Sequence, residues 1–386
     1  MMPLEELCDE RVWQLAREWL GGRATPDTVA RIAWSVLIEP GDAVAGELIV
    51  EQGPWRALRG IAEGTTQNRA AQNRAVADAI ARWASRWQAS LVQAALEQAI
   101  RRGLQLLVPG DDAWPGALDD LGPHAPVCLW VRGDPAALSR ARAVSIVGAR
   151  SATPYGEHVA GLFSGDLARE GLVIVSGGAY GIDGAAHRAA LHVEGTTVAF
   201  VAGGVDRVYP AGHANLFQQI ADSGAVVAEC PPGTTPTRWR FLARNRLIAA
   251  MGQATVVVEA GYRSGSINTA GHASSLGRAL GAVPGPVTST TSAGCHRLLR
   301  EYDAECVTRS DDVRDMLGMS TEPMGIPYES PESVRLTDAL SNRRARSVHE
   351  LAQRSGLAPA DVEATLGLLL IAGAVIERQD GWMLRP

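Results

Sequence analysis

Val144-Ser145-Ile146-Val147-Gly148-Ala149-Arg150 is a short apolar run that ends in a glycine and an arginine, and Thr153-Pro154 follows it. A run of this length reads as a buried strand, and Thr-Pro is a cap and first-turn pair for the helix behind it. Strand, glycine turn and helix make the first half of a crossover unit, and the pattern repeats downstream. Further strands are predicted at Leu172–Val175, Thr197–Val201, Val226–Ala228, Thr255–Val258 and Ala279–Val283, with segments between them long enough for crossover helices. The economical architecture is α/β: an extended, doubly wound, mostly parallel sheet of Rossmann-like type over residues 104–310. Glycines collect just past the strand ends (Gly148, Gly177 and Gly178, Gly203 and Gly204, Gly261, Gly285). In such sheets ligands sit outside the carboxyl ends of the strands.

The chain of 386 residues, 46% apolar and 20% charged, has room for two or three domains and a sizeable core. Its net charge of −6 excludes a uniformly basic nucleic-acid binder. All 36 basic residues are arginine, which removes lysine Schiff-base chemistry and a P-loop lysine. The charge is uneven: −4 over residues 1–140, +2 over 141–310 and −4 over 311–386. A polyanion is therefore expected to meet the middle segment. Five scattered cysteines, with no Cys-x-x-Cys pair, argue against a zinc site or disulfide framework and for a reducing compartment. No secretory leader or long apolar span is apparent, so the expected location is cytoplasmic, with no membrane contact.

Residues 1–103 read as a helical domain. Trp13, Leu20, Val29, Ile32, Ala33, Val36 and Leu37 follow helical spacing, and Pro40-Gly41-Asp42 turns between two short helices. Such a pair can form a helix-hairpin-helix that touches phosphates through its turn, although the pattern is weak and simple packing is the preferred explanation. A long helix is predicted from Thr65 or Thr66 to Gly103, with Val76, Ile80, Trp83, Trp87 and Leu91 as its apolar stripe. The repeat Gln67–Ala75 within it reads as a solvated face. Residues 311–332 are proline-punctuated and read as a linker. Residues 333–386 read as helix, helix, turn at Gly356, helix and hairpin around Asp380-Gly381, the order of a winged helix.

Four stretches of the middle segment carry chemistry. The first is the opening one, where Gly148 admits backbone to an anion and Arg150 offers a two-donor clamp. The second is Ser176-Gly177-Gly178-Ala179-Tyr180-Gly181-Ile182-Asp183, with His187 four residues on; Asp183 reads better as a helix cap or first-turn acid than as half of an acid–base pair. The densest is Arg238-Trp239-Arg240-Phe241-Leu242-Ala243-Arg244-Asn245-Arg246, and no acid occurs between Glu229 and Glu259. Guanidinium groups interleaved with aromatic faces suit single-stranded nucleic acid. The fourth, Glu259 to Ala270, joins strand to helix through Arg263, Ser264, Gly265 and Ser266 and offers a second anion pocket. Several such pockets on one sheet edge suit a chain of phosphates.

In combination these elements resemble the DNA-processing protein A family (DprA, also called Smf). The matching residues are Gly148-Ala149-Arg150 with Tyr155-Gly156, Ser176 through His187, Gly204-Val205-Asp206 with Tyr209-Pro210, Phe241 through Arg246, Glu259-Ala260 with Ser264-Gly265-Ser266, and Pro284-Gly285. They stand in family order over roughly residues 140–300. The resemblance implies a helical module of sterile-alpha-motif type before the sheet and a winged helix after it. It implies sequence-independent binding and protection of single-stranded DNA, loading of the RecA recombinase during DNA uptake and recombination, a homodimer built through the Rossmann-like domain, and no catalysis or cofactor. By family analogy Arg150, Ser176, Gly177, Phe241, Arg244 and Arg246 line the DNA pocket; together with the anion-binding stretches read above, the expected single-stranded DNA site comprises Gly148, Arg150, Ser176, Gly177, Arg238, Arg240, Phe241, Arg244, Asn245, Arg246, Ser264, Gly265 and Ser266. A lysine common before the Phe-x-x-Arg-Asn-Arg run is replaced here by Thr234-Thr235-Pro236, so Arg238 or Arg240 substitutes for it or the contact is lost. The enzyme alternative, a nucleotide hydrolase like the phosphoribohydrolases of related fold, lacks its Pro-Gly-Gly-x-Gly-Thr-x-x-Glu element here. A third alternative places duplex DNA on the terminal winged helix, whose presumed recognition helix carries Asp361 and Glu363 but no arginine.

Overall fold

Each predicted strand of the middle segment forms, and each is buried on both faces, which is why these runs are apolar without alternation. The computed structural model describes residues 3–66, 74–139, 142–319, 330–371, 373–378 and 380–385. The chain opens with helices α1 (Glu10–Leu20), α2 (Pro26–Leu37), α3 (Ala43–Gln52), α4 (Pro54–Ala62), α5 (Arg74–Ala84) and α6 (Ala89–Arg102). Two strands follow, β1 (Gln105–Leu107) and β2 (Leu129–Gly133). Alternation then begins: β3 (Ala143–Val147), α7 (Pro154–Arg169), β4 (Val173–Ser176), α8 (Ile182–His192), β5 (Thr197–Val201), α9 (Ala214–Ser223) and β6 (Ala225–Ala228). It continues with α10 (Arg238–Met251), β7 (Ala254–Val257), α11 (Gly265–Ser275), β8 (Ala279–Ala282), α12 (Ala293–Glu301), β9 (Glu305–Cys306) and α13 (Ser310–Met316).

Among the described residues nine strands make one sheet in the order β1-β2-β6-β5-β4-β3-β7-β8-β9. The run from β6 to β9 is parallel, and β1 and β2 add an antiparallel edge. From β3 the chain winds outward to β6, then crosses back to place β7 on the other side of β3. The strand order reverses between β3 and β7, and the crevice at their carboxyl ends is the topological switch point.

The helices α1–α6 do not stand apart from the sheet. Leu37, Leu48, Leu58 and Trp83 share one apolar core with Trp130 of β2 and with Ala199, Val201, Val226 and Ala228 of β5 and β6. The helix expected from Thr65 or Thr66 to Gly103 is two helices. Thr65 and Thr66 lie in a turn, residues 67–73 of the repeat lie outside the described residues, and the helix is interrupted between Ala84 and Ala89. Gln88 is extended there, and Arg86 is drawn off to the Ile38 carbonyl at 3.3 Å and to Glu39. Trp83 and Trp87 are core, as the stripe implied, and their indole N–H groups donate to Asp42 and to the Pro3 carbonyl. Leu91 instead is 40% exposed.

Two further expectations are corrected. The Pro40-Gly41-Asp42 turn faces the sheet domain, where Gly41 N–H donates to Glu229 at 3.1 Å and its carbonyl meets His124 Nδ1 at 2.9 Å, so it does not present itself to phosphates. The linker expected from 311 begins instead with α13, whose Val313 is buried against Val256 and Val307 and whose Arg314 pairs with Glu170. Residues 320–329 lie outside the described residues. The strands β1, of three residues, and β9, of two, carried too few residues to be seen as period-two runs, and β2, of five, was also not predicted. A second unit contains α14 (Pro331–Ala339), α15 (Val348–Ser355), α16 (Pro359–Ile371) and the antiparallel pair β10 (Val375–Arg378) and β11 (Gly381–Leu384) around Leu336, Leu351, Leu366 and Val375. Among the described residues no helix is long and apolar enough to cross a membrane.

Candidate nucleic-acid interface

The turn after β3 packs too tightly for any side chain at position 148. A Cβ on Gly148 would stand 2.5 Å from Ile182 Cγ1 and 2.9 Å from the Glu259 carbonyl. Ala149 N–H donates to that carbonyl at 2.7 Å, so this amide locks the loop after β7 to β3 and is not offered to an anion. The chain is thereby turned so that Arg150 stands exposed on the rim, its Cζ 4.7 Å from the Phe241 ring centroid.

The glycine loop after β4 serves the floor. Ser176 Oγ, fully buried, donates to the Ile146 carbonyl at 2.6 Å and does not reach the surface. Asp183 is not the N-cap of α8, a place taken by Gly181, but the acid of its first turn, and it accepts from Gly177 N–H at 3.2 Å and Ala179 N–H at 3.3 Å in the preceding loop. Burial pushes its carboxyl up, against the opposing pull of Arg244 and of these hydrogen bonds. His187 is not its partner: it is buried, and its Nδ1 lies 2.7 Å from Thr197 Oγ1. No acid–base pair is assembled here.

Helix α10 starts at Thr237, whose hydroxyl accepts from Arg240 N–H at 3.3 Å. Its arginines point in different directions because the helix is wedged between the sheet and the N-terminal helices. Arg238 is exposed and faces the switch point. Arg240 turns away to Glu39, with Nε at 2.9 Å and Nη2 at 2.8 Å from its two oxygens. Burial raises the Glu39 carboxyl, but the hydrogen bonds from Arg240 and Arg86 outweigh it and hold it below its ordinary range. Arg244 runs under the strand ends, donating to the Gly177 carbonyl at 2.9 Å and to Phe200 O, while its buried Nε has no partner. Gly177 is glycine for this reason, since a Cβ there would lie 2.4 Å from Arg244 Nη1. Burial brings the Arg244 guanidinium down to about 10, Asp183 opposing and Arg150 adding, so it stays charged at neutral pH. Arg246 is buried on the opposite side, bonded to Glu229 and to the His124 carbonyl at 2.8 and 2.9 Å.

The third wall is the start of α11. Ser264 caps it, with its Oγ 2.7 Å from Ser266 Oγ, and Asn245 Nδ2 reaches the Gly265 carbonyl and Asn268 Oδ1 at 3.3 and 3.2 Å. The positive end of this helix dipole opens toward α10.

These parts enclose a cleft of about 750 Å³ at the switch point. Its walls carry Arg150, Arg238, Arg244 and Arg263 against one carboxylate, Asp183, which its own loop already occupies. Phe241, tilted against Tyr209 at 5.4 Å, presents its ring between Arg150 and Arg244. Of the thirteen residues assigned from the sequence, nine line this cleft: Gly148, Arg150, Arg238, Phe241, Arg244, Asn245, Ser264, Gly265 and Ser266. Four do not. Ser176 is consumed inside the sheet, Gly177 makes room for Arg244, and Arg240 and Arg246 anchor α10 to the N-terminal helices and to Glu229. Arg263, Tyr209 and Asn268 belong to the walls and were not assigned; Tyr209 stood in the Tyr-Pro pair that carried the resemblance.

The fold and the cleft define a class: a Rossmann-like α/β protein with a guanidinium-lined, ring-bearing hollow at its switch point. The chain belongs to the DNA recombination-mediator protein A family, whose model matches residues 105–318. It is 44% identical over 381 residues to the putative DNA processing protein DprA of Mycobacterium tuberculosis, covering 93% of this chain and 95% of the relative. The crystal structure of DNA processing protein A from Streptococcus pneumoniae superposes with a TM-score of 0.59 at 31% identity, covering 75% of this chain and 97% of the other. DNA processing protein A of Helicobacter pylori, described for its unique single-stranded DNA binding mode, gives 0.51 at 30% identity, covering 55% of this chain and 95% of the other.

Proposed function

We propose that this chain binds single-stranded DNA without sequence preference in the switch-point cleft, and that it acts there as a recombination mediator, not a hydrolase. The observation that carries this is the composition of the walls: exposed Arg150, Arg238 and Arg263 converge with the start of α11 around the face of Phe241. Guanidinium groups and helix amides hold phosphates of any sequence, and a ring stacks on any base. Because Arg240 is committed to Glu39, Arg238 takes the place of the family's lysine.

The proposal extends to partners by family analogy: loading of RecA onto the bound strand, and a homodimer through the Rossmann-like domain. We also read the second unit as a winged helix with a protein-binding or regulatory role. Its α16 is exposed at Leu368 and Leu370 and acidic at Asp361 and Glu363, which suits a protein better than a DNA groove.

The test is a salt titration of oligonucleotide binding, single strand against duplex, using the full chain because α1–α6 share the core of the sheet. Expected is a linear fall of log affinity with log salt for the single strand, its slope reduced by about 1.4 in the Arg150→Ala, Arg238→Ala double variant. A flat salt response, or unchanged affinity in that variant, overturns the reading. Release of free base from nucleoside monophosphates at enzymatic rates would restore the hydrolase alternative.

A further inference from the structure

Past the lip formed by Arg263 and Ser264 the surface drops into a second groove of about 480 Å³. Arg263, Ser264 and Asn268 are walls of both hollows, so the groove continues the cleft. On its far side Arg297 of α12 lies between two rings, 5.3 Å from the Tyr262 centroid and 5.6 Å from that of Tyr302. Glu301 accepts from Arg297 Nε at 2.7 Å and fixes the guanidinium in this position. Tyr302 is partly buried against the core, whereas Tyr262 is 59% exposed. A ring held this far into solvent forgoes the stabilisation that burial would give it. Its inner face is taken by a cation, and what remains is a braced, exposed aromatic surface beside Arg263, which is exposed and has no ion-pair partner among the described residues. Among the described residues no carboxylate lines this groove, and burial, with Arg246 and His124 adding, holds the His272 imidazole below its ordinary value, so that ring is neutral there at pH 7.

We propose that an unpaired polynucleotide leaving the cleft crosses the Arg263–Ser264 lip and stacks a base on Tyr262. Arg263 holds the phosphate at the crossing, and Arg297 acts as a positioning residue that keeps the ring upright. This rests on the cleft's being the primary strand site, and it adds a second contact zone that a strand must be long enough to reach. A ring face takes any base, so the zone lengthens the footprint without adding sequence preference.

The experiment compares the full wild-type chain with Tyr262→Ala and Tyr262→Phe on oligothymidylates of roughly four and roughly sixteen nucleotides. Tyr262→Ala is expected to weaken the longer strand about five- to tenfold and to leave the shorter one unchanged, while Tyr262→Phe keeps wild-type affinity for both. Unchanged affinity of Tyr262→Ala for the longer strand overturns the proposal. So does an equal loss on the shorter one, which would make Tyr262 part of the cleft, or a loss in Tyr262→Phe as large as in Tyr262→Ala. Failure of the wild-type chain to bind either length would instead overturn the cleft reading, and this one with it.

Discussion

Arg238 and Arg246 are eight residues apart in one helix and do opposite work. Arg238 is exposed and has no ion-pair partner among the described residues, so Arg238→Ala should lower single-strand affinity and flatten its salt slope while leaving the urea midpoint unchanged. Arg246 forms a buried pair with Glu229, 6% and 7% exposed at their side chains. Arg246→Ala leaves that carboxylate buried without its partner and is expected to cost about 3–5 kcal/mol in urea denaturation. His187 gives a second residue-level expectation. Burial, with His213, Arg188 and Arg244 adding, holds its imidazole down to about 3 against 6.5 in the open chain. Between those values the unfolded chain binds a proton that the folded chain refuses, so this contribution is complete above pH 6.5 and declines as pH falls toward 3. At pH 5 the loss is about 2 kcal/mol, and it should shrink in His187→Gln when urea curves at pH 7 and pH 5 are compared.

At the scale of the element, α7 shows how a cap ties helix to sheet. Thr153 accepts from Gly156 N–H at 3.2 Å, and its own N–H and hydroxyl donate to Glu259 at 2.8 and 2.7 Å. Gly156 must be glycine because a Cβ would stand 2.2 Å from Glu259 Oε2. Thr153→Ala removes the cap and one donor to a buried carboxylate, so a loss of about 1–2 kcal/mol is expected, read as a lowered thermal midpoint. Helix α10 is the element that makes the cleft: one side supplies Arg238, Phe241 and Arg244, and the other is bolted through Arg240 and Arg246.

At the scale of the molecule, the packing assigns different tolerances to the two ends. Removing residues 1–103 would expose Trp130 and the Ala199, Val201, Val226 and Ala228 side of the sheet, and would take Glu39 from Arg240 and the Gly41 N–H from Glu229. The remainder is expected to lose its cooperative thermal transition. Ending the chain after residue 319 leaves α13 and the core of the first unit whole. That truncated protein is expected to melt near the full chain's midpoint and to keep single-strand affinity within about twofold, as read by anisotropy. Loss of binding on that truncation would favour the terminal unit as the DNA site.

The fold was legible because its signals are local. Six apolar runs with glycines at their ends, spaced by helix lengths, specify a doubly wound sheet and the edge at which ligands collect, and the Arg-aromatic run marks the element beside that edge. What a short run cannot show is which way a side chain leaves a helix that is packed on several sides. Arg238, Arg240, Arg244 and Arg246 are indistinguishable in one dimension. Only the approach of Glu39 and the strand-end carbonyls, far away in the chain, and of Glu229 at the end of the preceding strand sends two of them into bracing, one under the floor and one to the opening. The sequence determined that a basic switch-point cleft exists. Tertiary structure decided which guanidinium groups remain free to use it, because a buried charge goes to the partner that compensates its lost hydration, and those partners come from distant parts of the fold.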